Sequence, residues 1–206
     1  MSEDSSALDL WLIAGLGNPG AKYEDTRHNF GFLVLDELFS RSNSVTGTSS
    51  FGAWKEQKGA QVCKVQLCGK SLILVKPYTF MNLSGEPLRA IMDFYKVSKE
   101  RLLIVHDEVD LPFEVVRLKS GGGDGGHNGL KSVFNQCGGR DFLRLRMGVG
   151  RPENPNFDTS DWVLSSFSQE EKSLLPEIIG FSVDAIEQLL EEGLTATQKR
   201  VNTNRS

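Results

Sequence analysis

Short apolar runs alternate along the chain with segments whose apolar residues recur at helical spacing. The runs of strand length occupy 10–16, 60–67, 71–76, 102–106, 115–118 and 142–149. The helical period predicts helices over 30–39, 85–95 and 128–137. Ser168, with Glu171 three residues later, forms a capping box that opens a long amphipathic helix to Glu192. Strands that alternate with helices predict an α/β fold whose sheet is covered on both faces.

Polar and glycine-rich segments separate these elements. Cys68-Gly69-Lys70 predicts a hairpin turn and 40–52 a surface loop. The glycine-rich run 120–126 has three interpretations: a phosphate-binding loop, a hinged lid, or a flexible connection. We expect one domain over 10–192, preceded by a flexible N-terminus over 1–9 and followed by a polar, disordered tail over 193–206.

Composition places the chain among soluble globular proteins, with 39% hydrophobic and 24% charged residues in 206. The N-terminus lacks the basic and apolar regions of a secretory signal, and the apolar runs are too short to span a membrane. The three cysteines form no C-x-x-C pair and indicate a reducing compartment. We therefore expect a cytoplasmic protein with no membrane partner.

Charge is unevenly distributed along the chain. The net charge is −4, which argues weakly against a nucleic-acid partner. Between Arg117 and Arg151, however, there are seven basic residues and only two acidic ones, Asp124 and Asp141, so this segment carries a net charge of +5. The segment is either a solvated basic face or a site for a polyanion.

A glycine pattern in the first loop suggests a nucleotide cofactor. Residues 15–20, Gly-Leu-Gly-Asn-Pro-Gly, match the G-x-G-x-x-G fingerprint that follows a strand in dinucleotide-binding folds. The fingerprint should open a helix directly, yet 21–29 is polar and has no apolar period. The acid expected at the end of a second strand is also missing. The pattern therefore predicts a nucleotide site only weakly.

His28 is the histidine best placed for chemistry, because it follows a loop at the end of a strand, where active sites of α/β folds collect. A neutral imidazole can take a proton from water if a carboxylate fixes its tautomer, and Asp107 ends the most apolar strand. Asparagines at loop or strand ends could orient water or stabilise an oxyanion, although they are also common in turns. These are Asn18, Asn29, Asn82 and Asn128.

Several kinds of catalytic site are missing from the sequence. It has no G-x-S-x-G elbow, no catalytic-cysteine signature and no cluster of His and Cys at metal-ligand spacing. A hydrolase with this sequence would most simply use direct attack by a base-activated water, and we expect no metal.

Five motifs in series resemble those of the bacterial-type peptidyl-tRNA hydrolase family. They begin at Gly15, Thr26, Lys76, His106 and Gly125, and they read GLGNPG, TRHNFG, KPYTFMNLSG, HDEVDLP and GGHNGLK. The resemblance runs from about Leu10 to Glu192. It implies a monomeric, single-domain α/β/α sandwich around a mixed, mostly parallel twisted sheet, without a cofactor, that cleaves the ester between a peptide and the 3′ ribose of tRNA.

The resemblance also implies roles for individual residues. His28 matches the catalytic base, Asp107 the acid that holds it, and Asn18 the residue that contacts the peptide and helps to select blocked amines. Lys119 and Arg146 match a basic pair that holds a tRNA phosphate. The other positions that match substrate-contacting residues are Tyr23, Phe80, Met81, Asn82 and Asn128.

The sequence departs from the family pattern at a few positions outside the catalytic set. Asp124 replaces a common His in the glycine loop, Tyr78 replaces a common Gln, and 48–54 differs from the usual approach to the hairpin. An acid in a loop that faces RNA would oppose phosphate neutralisation. Two other hypotheses stay open: an RNA-binding paralogue without activity, and the nucleotide-cofactor enzyme.

Overall fold

The computed structural model describes residues 10–46, 52–154 and 156–203. A seven-stranded sheet with strand order β2-β3-β4-β1-β5-β7-β6 runs through this part of the chain. Its strands are β1 (Leu10–Gly15), β2 (Lys55–Gln57), β3 (Ala60–Leu67), β4 (Lys70–Pro77), β5 (Leu102–Glu108), β6 (Val116–Ser120) and β7 (Leu143–Gly148). The four central strands β4, β1, β5 and β7 are parallel, and antiparallel strands extend both edges.

Helices cover both faces of the sheet, as expected. They are α1 (Phe30–Thr46), α2 (Gly85–Tyr95), α3 (Asn128–Gln136), α4 (Thr159–Leu164), α5 (Gln169–Glu192) and α6 (Leu194–Val201). One apolar cluster joins α1 and α5 to the sheet, and a second joins α2 and α3 to the opposite face. In β1, Ile13 enters the first cluster while Leu12 and Ala14 enter the second, which explains why this strand is apolar throughout.

Three expectations about the connections were wrong or incomplete. The tail expected to be disordered forms α6 over Leu194–Val201, with Thr197 and Val201 buried. The loop expected from residue 40 begins later, because α1 continues to Thr46. The short strand β2 and helix α4 were not predicted. The expected flexible segment 1–9 lies outside the described residues.

The helix α6 is held by side chains that complete the edge strand β6. Asn202 accepts a hydrogen bond from the Leu118 amide at 2.9 Å and donates one to the Leu118 carbonyl at 3.0 Å. An edge strand has backbone groups without partners, and here a side-chain amide takes the place of a neighbouring strand. The pattern of apolar residues did not predict this helix, because the side chain that anchors it is polar.

Gly15 at the end of β1 and Gly31 in α1 have a packing explanation. A Cβ on Gly15 would lie 2.3 Å from the Gly31 carbonyl oxygen, and a Cβ on Gly31 would lie 2.4 Å from that of Val105. These glycines let α1 approach β1 and β5 closely. Before α1, residues 21–29 form two short 3₁₀ turns, Ala21–Tyr23 and Arg27–Asn29, so the G-x-G-x-x-G pattern does not open a helix directly. In the described residues no helix is both long and apolar enough to cross a bilayer.

Candidate active site

A cleft of about 810 Å³ opens where the parallel strands β1 and β5 end. This is the sheet edge at which α/β folds bind ligands. Asp107 comes from the end of β5, whereas Asn18 and His28 come from the connection between β1 and α1. The structure places eight of the ten predicted site residues around this cleft: Asn18, Tyr23, His28, Phe80, Met81, Asn82, Asp107 and Asn128.

His28 and Asp107 are in direct contact. The His28 Nδ1 lies 2.9 Å from one Asp107 carboxylate oxygen and 3.0 Å from the other, and both residues are buried. Burial alone would raise the pKa of the Asp107 carboxyl, but the charges and hydrogen bonds of His28 and His127 outweigh it and hold this pKa well below its usual range. An ionised carboxylate accepts the Nδ1 proton of His28, which leaves Nε2 as a lone-pair acceptor.

The contact between His127 and Asp107 was not predicted from the sequence. His127 is the N-cap of α3, and its Nδ1 accepts hydrogen bonds from the amides of Gly129 at 3.1 Å and Leu130 at 3.3 Å. Its proton must then sit on Nε2, which lies 3.0 Å from the Asp107 carboxylate. The position of His127 at the start of a predicted helix was visible in the sequence, but the contact with a strand 20 residues earlier was not.

The same three side chains form the group with atoms close enough to hold a metal ion among the described residues, with ligand atoms within 4.8 Å of one another. The hydrogen bonds of His127 oppose that role. A neutral histidine that ligates through Nε2 carries its proton on Nδ1, where it would face two backbone N–H donors. The arrangement therefore fits a hydrogen-bonded relay better than a metal site. The absence of a cofactor remains a prediction.

Asn18 is fixed by two neighbours. Its backbone amide donates to Asn29 Oδ1 at 2.8 Å, and Asn29 Nδ2 donates back to the Asn18 carbonyl at 3.0 Å. The Asn18 side-chain oxygen accepts from the Met81 amide at 2.9 Å. Because Oδ1 must face that donor, the Asn18 Nδ2 is available as a donor at the cleft. Asn29 supports the loop, whereas the other three asparagines line the cleft.

Comparison with known proteins identifies the family of this chain. The family model described as Peptidyl-tRNA hydrolase matches residues 12–206. The chain belongs to that family. A relative named peptidyl-tRNA hydrolase from Frankia alni is 46% identical, covering 92% of both chains. Another from Bdellovibrio bacteriovorus is 40% identical, covering 94% of this chain and all of the relative.

Solved structures of the peptidyl-tRNA hydrolase family share the fold. The crystal structure of peptidyl-tRNA hydrolase from Acinetobacter baumannii has a TM-score of 0.84 at 32% identity, covering 98% of this chain and 97% of that one. The structure of a peptidyl-tRNA hydrolase with N-propanol also has a TM-score of 0.84, at 33% identity over 94% and 95% of the two chains. The expected α/β class and the resemblance to this family are thus confirmed.

The side chains around the cleft differ in exposure. Met81 is buried beside Asn18, while Phe80 is 61% exposed at the rim. Asn82 and Asn128 are exposed, and Tyr23 is half-buried. Apolar surface from Val109, Val163 and Leu164 also lines the cleft. The cleft of this family member therefore combines a polar group around Asp107 with an apolar wall.

Lys119 and Arg146 lie beside the cleft rather than in it. In the β6–β7 pairing, Arg117 is opposite Arg146 and Lys119 is opposite Arg144, so all four side chains share one face of the sheet. The Arg146 Nε lies 3.0 Å from Glu108, whose side chain also lines the cleft. The structure therefore connects the basic face to the cleft through Glu108.

Arg144 and Asp124 organise the glycine loop next to this basic face. Arg144 donates to the Gly123 carbonyl at 2.7 Å and to the Gly121 carbonyl. Burial, followed by the charge of Arg146, lowers the pKa of the Arg144 guanidinium. Asp124 accepts from the Gly126 amide at 2.9 Å. Asp124 thus has a local role in the turn of this loop.

Proposed function

We propose that this chain hydrolyses the ester bond between a peptide and the 3′ ribose of tRNA, and so returns tRNA from aborted translation to use. Membership of the peptidyl-tRNA hydrolase family supports the reaction. The observation that carries the mechanism is the contact of His28 Nδ1 with both oxygens of Asp107, since it leaves Nε2 as the basic atom at the cleft.

In the first step, a water molecule attacks the ester carbonyl while His28 Nε2 takes its proton. Asp107 stays ionised and stabilises the imidazolium that forms. The carbonyl becomes an oxyanion, which amide donors of Asn18 and Asn128 can stabilise. In the second step, the bond to the ribose oxygen breaks and His28 returns the proton to that oxygen. The products are a peptide acid and a tRNA with a free hydroxyl.

Asn18 gives a physical reason for selecting blocked substrates. Its side-chain oxygen is occupied by the Met81 amide, so the Nδ2 group can only donate to the substrate. A peptidyl ester has an amide carbonyl next to its terminal residue, which accepts such a hydrogen bond. A free aminoacyl ester has an ammonium group there and cannot accept. We infer that Asn18 favours the blocked ester.

The partner is the acceptor end of the tRNA, and the protein acts as a monomer without a metal. Lys119 and Arg146 hold a tRNA phosphate beside the cleft. Tyr23, Phe80 and Met81 line the part of the cleft that receives the end of the tRNA, with Asn82 and Asn128 as polar contacts. The basic face on β6 and β7 supports this arrangement, because it concentrates positive charge on an otherwise acidic chain.

The decisive experiment measures hydrolysis of N-acetyl-aminoacyl-tRNA against the same tRNA with a free amine, in EDTA, for the wild type and His28→Ala. We expect cleavage of the blocked ester only, and a loss of roughly 10²–10⁴-fold in kcat in the variant. An active His28→Ala enzyme would refute the mechanism. Tight RNA binding by a wild type that cleaves neither ester would favour the inactive RNA-binding paralogue.

A further inference from the structure

The helix α4 forms one wall of the cleft. Thr159, Ser160, Val163 and Leu164 line the cleft from this helix. The tertiary contacts of α4 are made mainly with the 3₁₀ turn Arg27–Asn29, which carries His28. The position of this wall therefore depends on the turn that also holds the proposed base.

Arg27 makes most of the polar contacts in this junction. Its guanidinium is buried and lies 3.7 Å above the ring of Trp162 in α4. One terminal nitrogen donates to the Ser165 hydroxyl at 2.8 Å and to the Ser166 carbonyl at 2.7 Å. The other lies 2.5 Å from Glu171 in the first turn of α5. A planar guanidinium can make these contacts together, and the ammonium of a lysine cannot.

Backbone contacts extend the junction on both sides of Arg27. Thr26 forms a bridge with Ser166, and the Arg27 amide donates to the Ser165 carbonyl at 3.2 Å. The Trp162 indole also donates to the Gly150 carbonyl at 2.9 Å. Trp162 is thus held by Arg27 and by the segment that follows β7, and its neighbour Val163 lines the cleft.

The charge of the α4 wall suggests which part of the substrate it meets. Residues 152–168 contain Glu153, Asp158 and Asp161 and no Lys or Arg, and the preceding Arg151, which also lines the cleft, is paired with Asp110. Such a segment repels phosphates, whereas the apolar surface of Val163 and Leu164 suits the side chains of a peptide. The basic face on β6 and β7 is the part of the protein suited to RNA.

From these contacts we propose that Arg27 is a positioning residue that fixes α4 against the His28 turn as the wall for the peptide part of the substrate. This inference rests on the proposed function. Arg27 touches neither Asp107 nor the cleft directly, so its effect passes through the placement of Val163 and Leu164. It therefore acts on binding of the peptide, while the proton transfer at His28 stays intact.

The test compares N-acetyl-aminoacyl-tRNA with a tetrapeptidyl-tRNA of apolar residues, using Arg27→Met, Arg27→Lys and Trp162→Leu. We expect Arg27→Met and Trp162→Leu to raise KM for the tetrapeptidyl substrate by roughly 10-fold to 100-fold. KM for the N-acetyl substrate, and kcat and its pH profile for both, should change by less than about threefold. Arg27→Lys keeps the charge opposite Glu171, so its KM for the tetrapeptidyl substrate should lie between those of the wild type and Arg27→Met.

Lys172→Ala is the matched control, because Lys172 pairs with Asp25 at 2.7 Å on the exposed side of the same junction. It should keep both KM values. An equal fall in kcat on both substrates, or a folded Trp162→Leu protein with unchanged KM, would overturn the proposal. A wild type inactive on both substrates would instead contradict the proposed function. If Arg27→Met does not fold, Trp162→Leu tests the same contact from the other side.

Discussion

Asp107 is a buried charge with two donors. His28 and His127 contact its carboxylate at 2.9 and 3.0 Å, and the residue is 2% exposed. A buried carboxylate is costly unless hydrogen bonds and opposite charge compensate it. The two histidines supply hydrogen bonds and a favourable electrostatic environment, which is why the pKa of Asp107 is lowered in spite of its burial. One histidine is fixed by a helix cap, and the other is left with a basic nitrogen.

Asp107→Asn tests whether the negative charge is needed for catalysis. An asparagine keeps the shape but cannot hold the His28 proton on Nδ1 as a carboxylate does. We expect kcat to fall by roughly 10³–10⁴-fold while binding of tRNA is kept. Asp93→Asn, at an exposed carboxylate on α2, is the control and should leave kcat unchanged. A kcat near the wild-type value in Asp107→Asn would show that the charge is dispensable.

At the residue scale, the sequence predicted the pairing of His28 with Asp107, because His28 follows the end of one strand and Asp107 lies at the end of another, at the same edge of the sheet. It did not predict His127, since the contact depends on the path of the glycine loop and on which ring nitrogen caps α3. The sequence also did not show that Asn29 has a different role from the other three asparagines. Asn29 is 2% exposed and bonds to the backbone of Asn18, a role that turn residues share with catalytic ones.

At the element scale, β6 and β7 turn a basic segment of sequence into a basic face. Their register brings Arg117, Lys119, Arg144 and Arg146 to the same side of the sheet. Periodicity predicted both strands, but the antiparallel register that joins the four side chains could not be read from one sequence. The helix α6 escaped prediction for a related reason. This helix is anchored by the contact between Asn202 and Leu118, and a pattern of apolar residues cannot predict a contact made by a polar side chain.

Lys119→Ala combined with Arg146→Ala tests this face as a phosphate site. We expect KM for full-length peptidyl-tRNA to rise by at least roughly tenfold, and the dependence of KM on salt to weaken, because fewer counterions are released on binding. A short ester mimic without the phosphate should be hydrolysed with little change in kcat/KM. Equal losses on both substrates would mean that the pair supports the cleft, through Arg146 and Glu108, and does not bind the phosphate.

At the scale of the whole molecule, two kinds of surface meet at one cleft. The acidic and apolar segment of α4 lines the cleft, and the basic face of β6 and β7 adjoins it through the contact of Arg146 with Glu108. The net charge of −4 gave no sign of this division, because net charge averages over the fold. The order of the motifs along the sequence identified the family. The parallel strands at the centre of the sheet bring those motifs together in the fold.

The stability of the whole fold should depend on pH through His106. This residue is fully buried, with its Nδ1 2.7 Å from the Asp107 carbonyl and its ring 5.2 Å from that of His127. Burial, followed by the charges of His127 and Arg144 against the opposing effect of Asp107, lowers the pKa of His106 well below its usual range. In the unfolded chain this histidine takes a proton near pH 6.5.

Below pH 6.5 the unfolded state therefore binds a proton at His106 that the folded state does not. As the pH is lowered below 6.5, this residue should decrease the free energy of unfolding by on the order of 1 kcal/mol per pH unit. Urea denaturation between pH 7.5 and 5 measures the slope of the unfolding free energy against pH. In His106→Gln this slope should be smaller by the amount that corresponds to about one bound proton. Asp107 does not interfere, because a carboxyl whose folded pKa is lowered loses its contribution only as pH falls below about 4. An identical slope in the wild type and His106→Gln would mean that His106 is protonated in the folded protein as readily as in the unfolded chain.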